Sequence, residues 1–362
     1  MINIYIRADS SYLIGSGHVM RCLALAHQLA ERGASIQFIC RELEGNMISY
    51  IEQAGFPTLR LPVILQATDR IDSDQTQFFC DIDWRDTLLY ALNRAKEIDL
   101  LIIDHYEIDY RWEQQARLYT QRIMVIDDLA DRRHDCDVLL DQNLYDNMEQ
   151  RYKDLIPEHC LTFLGPSHVL LRKEFTQALI NVRNRSGNVE HILVFYGGSD
   201  PTNETLKSLN VLQRLQYSDL HIHVVVGTSN RNKEAIEQLC TSMNHTYYYC
   251  QIDNMAEMIV KADLCLGAGG SATWERCLLG LPTIVTITAS NQAGLTETVA
   301  KYGAIRNMGW HQEVNEQQLY ETVQALVDSP EQLRYMTQQA QQIMPRAHFL
   351  SEVPLVNAIM RG

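Results

Sequence analysis

Four turns marked by glycine or acid carry the residues that could do chemistry. The first is RADSSYLIGSGHVMRC, residues 7–22, in which an apolar run ends, a Gly-Ser-Gly turn follows and a helical pattern opens with His18 in its first turn. A helix start offers free N–H groups to an anion, and Gly15 and Gly17 allow backbone conformations or close approaches that a Cβ would hinder. The helix dipole disfavours an imidazolium there, which leaves His18 in the neutral form that a general base needs. A bond from Asp9 to the ring would act in the opposite sense. The bland alternative is a plain strand-to-helix turn.

The second turn ends LLIIDHYEID, where Asp104, His105 and Tyr106 directly follow an apolar run, and Asp127 and Asp128 end the next run in the same way. Open α/β sheets bind ligands at strand C-termini; alternatively, Asp104 only caps or turns the chain. The third is HILVFYGGSDPTNET, with Gly198 and Ser199 in a ligand-facing loop and Pro201 placed to open a helix. It has neither the P-loop spacing with its Lys nor G-x-G-x-x-G, so ATP and NAD lose their support and no cofactor is expected. The fourth, GAGGSATWE at 267–275, offers helix-start amides to a diphosphate near Gly270, with Ser271 as a cap. Glu275, stabilised near the positive helix end, is placed to accept bonds from two ribose hydroxyls. Asn291 and Gln292 open a further loop after the next apolar run.

Positioning these turns requires apolar, β-branched runs alternating with segments of helical period, and that alternation occurs twice, predicting an α/β fold of two parallel-sheet domains. Strands are expected at 2–7, 35–40, 100–104, 123–126 and 138–140, then at 192–196, 222–226, 247–249, 264–266 and 283–287. A helix is expected at 17–32. The domains are predicted as 1–183 and 184–362, joined by a linker in the polar run 183–188. A last helical segment, 347–360, is expected to cross back onto the first domain.

Thirty-one Lys plus Arg against forty-five Asp plus Glu give a formal charge of −14, the wrong sign for a nucleic-acid partner. No apolar run approaches the ~20 residues of a membrane span, and the first residues lack an export pattern, so a cytoplasmic protein is expected. Nine cysteines include no C-x-x-C pair and read as buried free thiols; no spacing suggests a metal.

The ordered set GSGHVMRCLALA, IIDHY, GGSD, GAGGSATWE and ASNQ resembles the hydrolases of pseudaminic acid biosynthesis, which cleave UDP from UDP-2,4-diacetamido-2,4,6-trideoxy-β-L-altropyranose. The RADSS…IG-x-GH-x-x-R block, with Asp9 and Arg21, is the most specific part. The resemblance implies the GT-B architecture, two Rossmann-like domains facing a cleft, similar to the peptidoglycan N-acetylglucosaminyltransferase. It also implies that His18 activates the water that attacks C1 with inversion, that Tyr106 and Asn291 line the sugar pocket, and that Glu275 binds ribose. The loop from Ile252 to Met255 matches the position where uracil is held. No metal carries over. A polar insert at 66–83 is extra to the shortest family members, and its Asp81-Ile82-Asp83 triplet reads as solvated. A monomer or weak homo-oligomer is expected. The donor motifs leave open a GT-B transferase using a UDP-N-acetylhexosamine, or a nucleotide-sugar binding protein without turnover.

Overall fold

The computed structural model describes residues 1–64, 73–95, 97–215, 217, 219–350 and 354–361. Two compact units share the chain. Unit 1 comprises Met1–Asn143, Asn147–Leu170 and the last helix, Pro354–Arg361; unit 2 takes Leu144–Asp146 and the chain from Leu171 up to that helix.

Unit 1 is built on seven strands, β1 (Asn3–Ala8), β2 (Ser35–Arg41), β3 (Thr58–Leu61), β4 (Ile98–Asp104), β5 (Thr120–Ile126), β6 (Val138–Asp141) and β7 (Leu161–Leu164). All pair in parallel, in the order β3-β2-β1-β4-β5-β6-β7. The order reverses between β1 and β4, which places the turns after these two strands at the point where such sheets bind ligands. Strands covered on both faces read as continuous apolar runs: Leu100, Leu101, Ile102 and Ile103 of β4 are all buried. Helix Gly17–Glu31 lays Val19, Cys22, Ala26 and Leu29 on one face of the sheet. The last helix adds Leu355, Val356 and Ile359 to the same core, and Arg122 donates to the Ile359 carbonyl at 2.7 Å. Trp112, Ile103, Val125 and Leu139 form the core of the opposite face.

Unit 2 has six parallel strands, β8 (His191–Phe195), β9 (His221–Val226), β10 (Thr246–Cys250), β11 (Leu264–Ala268), β12 (Thr283–Ile287) and β13 (Ile305–Trp310), in the order β10-β9-β8-β11-β12-β13. Here too the order reverses between adjacent strands, β8 and β11, whose following loops are GGSD and GAGGS.

Three expectations need correction. The division falls at Leu170/Leu171, not at 183/184. The polar run taken for a linker is part of unit 2: buried Arg185 donates to the Ile259, Ala262 and Leu279 carbonyls at 2.7–3.1 Å, and Arg183 to the Lys261 carbonyl at 2.8 Å. These arginines satisfy carbonyls that helix ends leave without partners. The strands not anticipated, β3, β7 and β13, are edge strands, where one-sided pairing tolerates short and mixed sequences.

The third concerns the insert. Residues 65–72 lie outside the described residues, and the rest lies in helix Ser73–Tyr90. Asp83 is not solvated but fully buried, ion-paired at 2.6 Å to both Arg7 of β1 and Arg41 of β2. Arg41 also reaches Asp86 at 2.9 Å, so two carboxylates from one helix face neutralise two arginines rising from the sheet.

Candidate active site

In unit 1 the turn after β1 folds back through Gly15, whose φ of +80° suits glycine and whose N–H donates to the Ser11 carbonyl at 2.9 Å. Gly17 is the first residue of the helix and Ser16 stands at its cap position without a side-chain cap bond. One residue on, His18 is 7% exposed. Its Nδ1 lies 2.6 Å from Oδ1 of Asp104 at the end of β4. Arg21, one turn further along the helix, donates through Nε and Nη2 to both Asp104 oxygens at 2.7 and 2.6 Å, and through Nη1 to Asp128 after β5 at 2.9 Å. Burial would raise the Asp104 carboxyl, but Arg21 and His18 hold it well below the usual carboxylate range. Beside an ionised Asp104, a neutral imidazole carries its proton on Nδ1, where it donates to the carboxylate, and has its lone pair on Nε2. Tyr106 stands edge-on to the imidazole, ring centroids 4.5 Å apart at 79°.

Asp9 does not touch the His18 ring. Its carboxylate is taken by Arg7 at 2.5 and 2.7 Å, by the Arg41 backbone N–H at 2.7 Å and by His105 Nε2 at 3.3 Å. His105 Nδ1 accepts from Glu107 N–H at 3.2 Å, so Nε2 is the donor to Asp9. Asp9 is therefore a counter-charge for Arg7, and the carboxylate that meets the His18 ring is that of Asp104.

In unit 2 the loop after β11 is held tightly from below. The side chain of Thr296 packs where a Cβ on Gly269 would have to stand, so only glycine fits. Gln292 Oε1 accepts from Gly269 N–H at 3.3 Å and from the Thr288 N–H and hydroxyl at 3.0 and 3.1 Å. Gln292 thus braces two loops with its oxygen; Asn291, beside it in the turn Ser290–Gln292, is half-buried. Ser271 occupies the cap position of helix Ala272–Leu278 but makes no side-chain cap bond, contrary to its expected role, and is exposed beside Gly270.

Glu275 lies in the first turn of that helix, but its charge is not favoured there as expected: burial pushes its carboxyl above the usual range, with Arg172 drawing it back. Arg172 contacts Glu275 at 3.4 Å and Glu174 at 2.6 Å, and Glu174 accepts the Ala256 N–H at 3.0 Å. This chain ties Glu275 to the start of helix Met255–Lys261, next to the expected uracil loop. Ile252 is half-buried there, whereas the Met255 side chain is buried. After β8, Gly198 accepts from Gly227 N–H at 3.0 Å, and Asp200 caps helix Glu204–Arg214 by accepting from the Glu204 and Thr205 N–H groups at 3.0 and 2.8 Å. Ser199 is left half-buried at the strand end.

The structure therefore gathers His18, Arg21 and Tyr106 in unit 1, and Gly270, Ser271, Glu275 and Gln292 around one loop of unit 2. Asp104 was legible in sequence as an acid at a strand end, but its pairing with His18 follows from β4 lying beside β1, which only the fold shows. Among the described residues, no group of three or more His, Cys, Asp or Glu side chains is arranged to hold a metal. No helix of the described residues is long and apolar enough to cross a membrane.

Two Rossmann-like parallel-sheet units in one chain define the GT-B fold of nucleotide-sugar glycosyltransferases. The crystal structure of Acinetobacter baumannii MurG superposes with a TM-score of 0.64 over 100% of both chains at 13% identity. Residues 191–351 match the glycosyltransferase family 28 C-terminal domain. In sequence the chain is similar to UDP-2,4-diacetamido-2,4,6-trideoxy-β-L-altropyranose hydrolase of Campylobacter jejuni, 26% identical over 83% of this chain and 97% of that protein. It is equally similar, 26% over 78% of this chain, to an uncharacterized protein of Methanocaldococcus jannaschii, of which it spans only 55%.

Proposed function

We propose that this chain is a metal-independent UDP-sugar hydrolase that converts UDP-2,4-diacetamido-2,4,6-trideoxy-β-L-altropyranose to UDP and the free sugar, with inversion at C1, in pseudaminic acid biosynthesis. The observation that carries the reading is the His18–Asp104 pair, because an imidazole held in one tautomer by an ionised carboxylate is a built general base. His18 Nε2 takes a proton from water as the water oxygen attacks C1. The C1–O bond to the diphosphate breaks, and its electron pair stays on UDP. UDP is a good leaving group, and the amides near Gly270 and Ser271 offset its charge, so no general acid is required. Glu275 accepts the ribose hydroxyls, the 252–255 loop holds uracil, and Tyr106 and Asn291 contact the sugar. The Campylobacter relative, named for this hydrolysis, supports the substrate. The protein acts in the cytoplasm, as a monomer or weak homo-oligomer.

The family 28 domain match favours a second reading, transfer of the sugar to an acceptor hydroxyl. Incubation with the UDP-sugar in ¹⁸O-labelled water, without acceptor, separates the readings. Hydrolysis at C1 releases UDP and free sugar catalytically and leaves UDP unlabelled. Label in UDP means attack at phosphorus, release only on adding an acceptor means a transferase, and stoichiometric binding without release means a binding protein; each defeats the proposal.

A further inference from the structure

We propose that Cys136 and Cys160 form a reversible disulfide, making the paired starts of β6 and β7 an oxidation site. Cys136 is fully buried two residues before β6, and Cys160 is half-buried immediately before β7. Their Sγ atoms lie 3.5 Å apart. The backbone on either side is already fixed, with Val138 in register with Leu161 and Leu161 N–H donating to the Asp137 carbonyl at 2.9 Å. Closing to a bond of about 2.05 Å therefore takes side-chain rotation, not separation of the strands.

The two sulfurs differ in access. Cys160 is the one that solvent reaches, while its contact with Cys136, together with burial, holds the Cys136 thiol well above its usual range. With glutathione disulfide as oxidant, the Cys160 thiolate attacks one sulfur, forming a Cys160–glutathione bond and expelling glutathione thiolate. That exchange removes the S–H contact that keeps Cys136 protonated. Cys136 then gives its proton to solvent, attacks the Cys160 sulfur and expels the second glutathione. Two protein thiols are oxidised, one glutathione disulfide is reduced, and the two thiol protons end on the two glutathiones. The closed loop contains Asp141 and Tyr152, whose hydroxyl oxygen lies 3.1 Å from an Asp141 carboxylate oxygen and 2.9 Å from the Asp127 carbonyl, one residue from the Asp128 that holds Arg21. Oxidation thus ties together the segment that backs the Arg21 anchor. In a reducing compartment such a pair rests as thiols and closes under oxidative stress.

The test is to equilibrate the full chain across a series of oxidised-to-reduced glutathione ratios, trap with N-ethylmaleimide and map peptides by mass spectrometry. The expected result is a 136–160 linked pair, two hydrogens lighter than its reduced parts, and slower thermal unfolding of the oxidised chain. Both are lost in Cys160→Ser with its circular dichroism unchanged, while exposed Cys250 controls for access alone. A folded chain in which both thiols are alkylated, in which Cys160 stops at the glutathione adduct, or in which Cys160 joins another cysteine would overturn the proposal.

Discussion

A carboxylate 86 residues away decides which nitrogen of His18 can act. Asp104→Asn keeps the shape of the pair but offers no charge to hold the Nδ1 proton or to stabilise the imidazolium. In a catalytic histidine held this way, the comparable change costs up to about 10⁴-fold in kcat. We expect a fall of at least about 10²-fold here, with the KM for the UDP-sugar changed far less; steady-state kinetics with circular dichroism of the folded variant checks both. For the proposed nucleotide site the residue to test is Glu275. If it accepts both ribose hydroxyls, Glu275→Ala removes charge-assisted bonds of about 1.5–3 kcal/mol each at most, and UDP affinity falls at least about tenfold. The penalty for 2′-deoxy-UDP, large in the parent, shrinks in the variant because the lost hydroxyl no longer has a partner to lose. Calorimetric titration reads all four affinities, and unchanged UDP binding would end the ribose assignment.

Elements depend on charges that sequence alone places poorly. Asp83 neutralises Arg7 and Arg41 where β1, β2 and helix Ser73–Tyr90 meet, all three side chains being essentially unexposed. Asp83→Ala removes a carboxylate shared by two buried guanidinium groups and leaves Arg7 to Asp9 and Arg41 to Asp86, a change worth at most about 3–5 kcal/mol. Hydrogen exchange should therefore quicken in β1 and β2 and stay as in the parent in β8 and β9. A different device stands on β8–β10, where His191 and His223 meet at 3.2 Å and His223 stacks on Tyr247. Burial, with Lys261, His191 and His221 nearby, pushes His223 down from 6.5 to about 4. Between those values the unfolded chain binds a proton that the folded chain refuses, so this contribution to stability is full above pH 6.5 and is lost as pH falls towards 4. His223→Gln should flatten the parent's decline over that window in denaturant titrations; equal slopes would refute it. The central strands and the helix at 17–31 were legible because two-sided burial demands continuous apolar runs and one-sided burial a helical period. The edge strands β3, β7 and β13, the Arg183–Arg185 clamp and buried Asp83 were not, since each owes its place to partners distant in sequence. At the site, the glycines and His18 could be read from local spacing, while Asp104's hold on the ring, Gln292's bracing role and the burial of Met255 needed the fold.

At the scale of the whole molecule, one Rossmann-like unit holds the His18–Asp104 pair, the general base of the proposed reaction, and the second holds a glycine loop with an acid one turn beyond it. Its last helix returns to complete the first unit's core. The fold is shared with transferases, so architecture does not separate water from a sugar hydroxyl as the attacking group. The chemistry of His18 does bear on it, since a positioned base typically contributes about 10²- to 10⁴-fold. The most direct measurement is therefore the rate of UDP release from saturating UDP-2,4-diacetamido-2,4,6-trideoxy-β-L-altropyranose, without acceptor, by the parent and by folded His18→Asn. The account predicts steady turnover by the parent and a loss of at least about 10²-fold in the variant, with UDP affinity retained. Release at the parent rate by the variant would contradict it.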